Sequence, residues 1–82
     1  MRIDFYTGPN CSLCDDALEL IEQLEHPYLQ MVKKNIREDT QLYHLYSVRI
    51  PVMKIVSPEN HPHYQQELGW PFTLDQLKDF LA

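Results

Sequence analysis

Apolar and polar positions near the start of the chain follow first one period and then another. Residues 2–6 alternate and are rich in β-forming types, which predicts a strand. Turn-forming residues 7–10 follow, and from about Cys11 the apolar residues recur at spacings of three and four, as on one face of a helix. Asn10 is the predicted N-cap of this helix. The His-Pro pair at 26–27 is predicted to end it, because a residue before proline is disfavoured in helical geometry.

The rest of the chain continues with shorter elements of both kinds. We predict, in order, a strand at 28–32, a short helix introduced by residues 38–40, a strand at 52–56, a weaker strand at 63–68 that pairs back on it, and a last helix introduced by a capping box at 73–76. The order β-α-β-α-β-β-α predicts a single α/β domain over residues 1–82, with a four-stranded mixed sheet and helices on both faces. We expect the first strand inside that sheet, so that the loop carrying Cys11 leaves from its carboxyl end, where open α/β sheets place their sites.

Charge and hydropathy narrow the functions open to these 82 residues. The formal net charge is −5 and the seven basic residues are scattered, whereas a nucleic-acid-binding domain usually carries a basic face. No apolar run is long enough to cross a membrane, and Asp4 lies where a secretion signal would need an apolar stretch. We therefore expect a cytoplasmic monomer that has neither nucleic acid nor a membrane as its partner.

The two cysteines, Cys11 and Cys14, are the residues most indicative of chemistry. A disulfide between them would close too short a loop to constrain the unfolded chain much, and a reducing compartment disfavours structural disulfides. Their predicted place is the start of a helix that follows a strand, where unpaired backbone N–H groups and the helix dipole favour a thiolate. Cys11 is then the candidate nucleophile, and Cys14, one turn later, is the candidate resolving thiol that displaces a bound substrate.

Other interpretations of the cysteine pair remain open. Half of a zinc site has the same spacing, and His61 and His63 could complete a Cys₂His₂ set by composition, although His-x-His fits the usual ligand spacing poorly. Solvated loop histidines are the alternative, so we assign no metal ligand. A third interpretation is a redox-silent interaction module that keeps the fold without its chemistry.

A second motif, Arg49-Ile50-Pro51-Val52, stands directly before the predicted third strand. Together with the Cys-x-x-Cys motif and the order of elements, it resembles the glutaredoxin branch of the thioredoxin superfamily, and most of all the short bacterial glutaredoxin-like proteins, from residue 3 to residue 81. The resemblance implies a thiol–disulfide oxidoreductase in which the Ile50–Pro51 bond is cis and lies against the cysteine pair. It also implies that Arg49, Ile50 and Pro51 form the substrate-binding segment, whose backbone pairs with an extended substrate.

Three departures from typical glutaredoxins bear on the substrate. Ser-Leu replaces Pro-Tyr between the cysteines, Gly8 stands where a glutathione-binding lysine is typical, and the loop at 68–72 lacks the Gly-Gly pair followed by acids that grips the other end of glutathione. These changes leave dithiol exchange intact. We therefore expect no required cofactor, glutathione as a weak co-substrate, disulfide-containing proteins or small thiols as substrates, and a thioredoxin- or glutathione-type reductant.

The resemblance also suggests a role for an acid and an alternative function. Thioredoxins use a buried acid near this point of the strand to take the proton of the second cysteine, which makes Asp4 a candidate proton acceptor for Cys14; the alternative is a partly solvated strand residue. Some glutaredoxins without proline between their cysteines bridge an iron–sulfur cluster between two chains, with glutathione as co-ligand, and Ser12 would permit that. A metal or iron–sulfur carrier is thus the alternative function.

Overall fold

The computed structural model of the chain describes residues 2–25, 29–56 and 66–81. Its strands and helices follow the predicted order β-α-β-α-β-β-α, with one additional 3₁₀ turn at Ile36–Glu38. They are β1 (Arg2–Thr7), α1 (Ser12–Leu24), β2 (Gln30–Asn35), α2 (Thr40–Tyr46), β3 (Val52–Val56), β4 (Glu67–Gly69) and α3 (Leu74–Leu81). None of the described helices combines the length and the apolar character that crossing a bilayer requires.

The four strands form one mixed sheet in the order β2-β1-β3-β4. β1 pairs in parallel with β2 and antiparallel with β3, and β3 pairs antiparallel with β4. The predicted inner position of the first strand is therefore confirmed. Because β1 is hydrogen-bonded on both sides, the loop that follows Thr7 leaves from the middle of the sheet.

Local signals predicted most helix and strand ends well. The capping box of α3 forms as predicted: the Thr73 N–H donates to Gln76 Oε1 at 2.8 Å, and the Gln76 N–H donates to Thr73 Oγ1 at 3.1 Å. β3 has its predicted bounds, whereas β2 continues to Asn35, three residues further than predicted. The start of the predicted second strand at Tyr28 and the first residues of the fourth, 63–65, lie outside the described residues.

The N-cap of α1 differs from the prediction. Asn10 has a φ of 56°, in the left-handed region that asparagine tolerates better than most residues, so it belongs to the turn and not to the cap. Cys11 is the N-cap instead, with extended backbone, and its Sγ accepts a hydrogen bond from the Cys14 N–H at 3.2 Å. The candidate nucleophile and the capping residue are thus the same side chain.

Two apolar clusters lie on opposite faces of the sheet because side chains alternate along β1. One cluster combines Ile3 and Phe5 with buried residues of α1 and α3 and includes Cys14. The other combines Tyr6 with Tyr46 of α2 and with neighbouring residues of the 3₁₀ turn and β3. The cysteine pair therefore belongs to the α1–α3 face, and α2 covers the other.

The position of Asp4 corrects its assignment as a proton acceptor. Asp4 lies between Ile3 and Phe5 on β1, so its side chain points to the face opposite Cys14. It is only 5% exposed, and its carboxylate is paired with Arg2 Nη2 and Lys34 Nζ, each at 3.2 Å. The sheet separates this carboxylate from the Cys14 sulfur, which leaves Asp4 a structural ion pair.

Asp4→Asn should lower the free energy of unfolding by about 1–3 kcal/mol, because a buried, doubly paired carboxylate loses its charge and leaves two cations unpaired. The partial exposure of Arg2 and Lys34, at 46% and 37% of their side chains, keeps the loss toward the lower end. Urea unfolding measures it, with the exposed Asp79→Asn on α3 as the matched control. Equal midpoints for the two variants would contradict this account.

Candidate dithiol site

The cysteine pair lies at the junction between the central strand β1 and helix α1. β1 ends at Thr7, a short turn follows, and Cys11 and Cys14 occupy the cap and first turn of α1. Their sulfurs are joined in a disulfide, with the two Cα atoms 5.2 Å apart, within the range that a disulfide requires. The backbone at the start of α1 therefore holds the two cysteines at a separation that allows this bond.

The two sulfurs differ in access. Cys14 is 2% exposed and packs in the cluster with Ile3 and Phe5, whereas Cys11 lies at its border and is partly exposed. A thiolate on Cys11 would keep the Cys14 N–H as a hydrogen-bond donor and would lie at the positive end of the helix dipole. This arrangement matches an accessible nucleophile and a shielded second thiol.

The segment before β3 lies next to the turn that precedes Cys11, where Ile50 and Gly8 approach closely. The Ile50–Pro51 bond is cis, as the resemblance implies, and Pro51 is buried. The Ile50 N–H donates to the Tyr46 carbonyl at 3.1 Å, and the Pro51 carbonyl accepts from the Trp70 N–H at 3.1 Å. Within the described part of the chain, no hydrogen bond reaches the Ile50 carbonyl. An extended substrate would thus find an acceptor at Ile50, while the N–H of the same residue is occupied.

Ile50 also forms part of a cleft that connects this segment to the turn before Cys11. The cleft has a volume of about 110 Å³ and is lined by Gly8, Pro9, Ile36, Arg37, Tyr43, Ser47 and Ile50. Gly8 and Ile50 approach closely: a Cβ at position 8 would lie 3.1 Å from Ile50 Cδ1. Arg37 places a cation at the cleft wall, although sequence reasoning assigned it no site role.

Arg49, predicted to bind substrate, is engaged within the protein. Its Nη2 donates to Glu67 Oε2 at 2.8 Å, and its guanidinium lies 5.1 Å from the centre of the Tyr46 ring. The Tyr46 hydroxyl donates to the other oxygen, Glu67 Oε1, at 2.8 Å. Any substrate anion would have to compete with Glu67 for Arg49.

Local sequence patterns did not predict Tyr46 or Glu67 as residues of the site. They lie 21 residues apart on elements that local patterns predict independently, so no spacing indicates the contact. Burial, followed by the hydrogen bond to Glu67, raises the pKa of Tyr46 above its ordinary value, so this hydroxyl stays protonated as the donor. Tyr6 stacks on Tyr46, with ring centroids 4.3 Å apart, and burial raises the pKa of its hydroxyl as well.

Metal binding receives no support from the described residues, which contain no group of three or more histidine, cysteine, aspartate or glutamate side chains that could hold an ion. His61 and His63, the candidate partners of the cysteines, lie outside residues 2–25, 29–56 and 66–81.

Fold and site together define a class. The thioredoxin fold is characterised by a four-stranded mixed sheet with helices on both faces. It also has a close cysteine pair at the start of the helix after the central strand, and a proline segment that leads into the next strand. Within that class, the model of the glutaredoxin-like domain (DUF836) matches residues 2–82, and the chain belongs to this family. The expected family resemblance and fold class are confirmed.

Solved structures agree with this assignment. The X-ray structure of protein XcR50 from X. campestris is 30% identical, covers 96% of this chain and 93% of its own, and has a TM-score of 0.73. Its solution structure is 31% identical over 99% and 92% of the two chains, with a TM-score of 0.72. Thioredoxin 1 from Thermosipho africanus is 14% identical with a TM-score of 0.68, over 99% and 90%, and shows the shared fold alone. No curated protein matches the chain.

In the reduced protein, Cys11 should be alkylated by iodoacetamide at least about tenfold faster than Cys14, because only the Cys11 sulfur is accessible and favoured as a thiolate. Peptide mapping by mass spectrometry after brief exposure measures both sites. The same labelling in concentrated urea is the control, and there the two rates should converge. Equal labelling of the folded protein would contradict the assigned accessibility.

Proposed function

We propose that this protein is a thiol–disulfide oxidoreductase that uses the Cys11–Cys14 couple to reduce disulfides in proteins or small molecules. The observation that carries the proposal is the unequal access of two sulfurs already close enough to bond at a helix N-terminus. A structural disulfide would gain little from such a short loop, and a buried inert pair would not leave Cys11 accessible.

The proposed reaction moves two electrons from the dithiol to the substrate. The Cys11 thiolate attacks one sulfur of the substrate disulfide, forming a mixed disulfide and releasing the other half as a thiolate. Cys14 then attacks the Cys11 sulfur, which releases the second half of the substrate as a thiolate and closes the Cys11–Cys14 bond. The Cys14 proton passes to the thiolate released in the first step, since Asp4 lies on the opposite face of the sheet. A thioredoxin- or glutathione-type reductant restores the dithiol in the cytoplasm, and no cofactor is required.

Exposed apolar side chains near the site favour polypeptide substrates. Leu13, between the cysteines, is 49% exposed; Tyr43, at the cleft, is 47% exposed; and Val48, two residues before Ile50, is 95% exposed. A protein or peptide would cover such side chains, whereas a small disulfide would leave most of their area in water. The Ile50 carbonyl, which has no hydrogen-bond donor among the described residues, could accept from the backbone of the same extended segment.

Cys14→Ser should accumulate mixed disulfides with substrate proteins, because the resolving step is lost while the nucleophile remains. Cys11→Ser should not, because its remaining thiol is buried. Non-reducing gels and mass spectrometry of proteins captured by each variant measure the difference. Equal trapping by the two variants, or trapping by Cys11→Ser alone, would show that the roles are assigned wrongly.

Glutathione-dependent turnover should be weak. Typical glutaredoxins have a lysine where this chain has Gly8, and a lost charge-assisted hydrogen bond costs about 1.5–3 kcal/mol, or roughly ten- to a hundredfold in affinity. The assay is reduction of a small mixed disulfide by glutathione and its reductase, beside a characterised glutaredoxin. Comparable rates for the two proteins would refute the expectation.

A matched pair of variants sharpens this test. A side chain at position 8 would meet Ile50 Cδ1, so Gly8→Lys is best combined with Ile50→Val, which removes that atom. The double variant should exceed Ile50→Val alone by about tenfold in kcat/KM for glutathione-dependent turnover, because one cation is restored. No gain would mean that the missing charge at position 8 does not limit glutathione use.

A further inference from the structure

The carboxylate of Glu67 joins the edge strand β4 to the segment that precedes Pro51. One oxygen accepts the Tyr46 hydroxyl and the other accepts the Arg49 guanidinium, both at 2.8 Å. Tyr46 ends α2 and Arg49 lies three residues later, so a single side chain holds both ends of one turn.

The backbone of the same turn ends at the group expected to meet substrate. The Tyr46 carbonyl accepts the Arg49 N–H at 2.8 Å and the Ile50 N–H at 3.1 Å. The position of Ile50, and hence of its carbonyl, therefore depends on where Tyr46 is held. Tyr46 is in turn 3% exposed and stacked on Tyr6, whose strand leads into the turn before Cys11.

The hydrogen bonds of Glu67 restrict the geometry of the turn more than they stabilise the folded protein. The Arg49 and Glu67 side chains are 51% and 29% exposed, and ion pairs with such exposure contribute little to folding. A planar guanidinium, a phenol hydroxyl and one carboxylate nevertheless have few mutual orientations that satisfy every hydrogen bond. Such a network restricts the conformations of the turn, which is the requirement for positioning a substrate.

We propose that Glu67 is a positioning residue of the dithiol site: through Tyr46 and Arg49 it fixes the Ile50 backbone that receives an extended polypeptide beside Cys11. The inference rests on the proposed function and deepens it. Polypeptide disulfides depend on this backbone contact, whereas small disulfides, which reach Cys11 without it, do not. Arg49 accordingly serves the protein's own loop instead of binding a substrate anion.

The kinetic test compares two substrates in single turnovers of the reduced protein. Glu67→Gln should lower the second-order rate constant for a disulfide-linked model peptide about three- to tenfold, and should leave that for bis(2-hydroxyethyl) disulfide within about twofold. Tyr46→Phe, which keeps the stacked ring but removes the hydroxyl, should do the same. Glu22→Gln, on the exposed side of α1, is the matched control for loss of one negative charge. Equal losses for both substrates, or no loss for the peptide, would overturn the proposal.

A second measurement separates failure of this inference from failure of the proposed function. Amide hydrogen exchange followed by NMR should be about three- to tenfold faster at Arg49 and Ile50 in Glu67→Gln than in Glu22→Gln, because the Tyr46 carbonyl is held less firmly. Unchanged exchange would overturn the positioning role whatever the activity. If wild-type protein reduces neither disulfide, the proposed function fails, while exchange still decides whether Glu67 holds the turn.

Discussion

Burial of β1 between two hydrogen-bonded neighbours is the constraint on which the rest of the molecule depends. Ile3 and Phe5 are fully buried, and the strand pairs with β2 on one side and β3 on the other. A strand held in this way cannot shift by one residue without moving its apolar side chains to the wrong face. Its carboxyl end therefore places Cys11 at the start of a helix, where the first backbone N–H groups have no partner in a preceding helical turn.

Because side chains alternate along β1, the two faces of the sheet carry different groups. The α1–α3 face holds Cys14, the proposed resolving cysteine, in an apolar cluster that shields it from solvent. The α2 face holds the polar groups: the ion pairs of Asp4, the Tyr6–Tyr46 stack and the carboxylate of Glu67. The proposed dithiol chemistry and the proposed positioning of substrate thus depend on opposite faces of one sheet.

The placement of cations is the structural feature on which the proposed substrate preference depends. Position 8 carries no side chain, and its neighbour Ile50 occupies the nearby space. Arg49 is committed to Glu67, while Arg37 remains at the cleft wall. Under the proposed function, small anionic thiols would depend on several such charges together, whereas an extended polypeptide would gain apolar contact at Leu13 and Val48 and a backbone contact at Ile50. Dithiol exchange itself depends on the two sulfurs and is indifferent to this choice.

Patterns that extend over only a few residues were enough to predict the order of elements, the bounds of β3, the capping box of α3 and the place of the Cys-x-x-Cys motif. These are consequences of period, caps and turn residues. The face on which Asp4 lies follows from the assembled sheet, because a shift of one residue along a strand moves a side chain to the other face. The partner of Arg49 also follows from the assembled sheet, because Glu67 lies eighteen positions further along the chain. Contacts between distant segments depend on how the sheet assembles, and no local pattern carries that information.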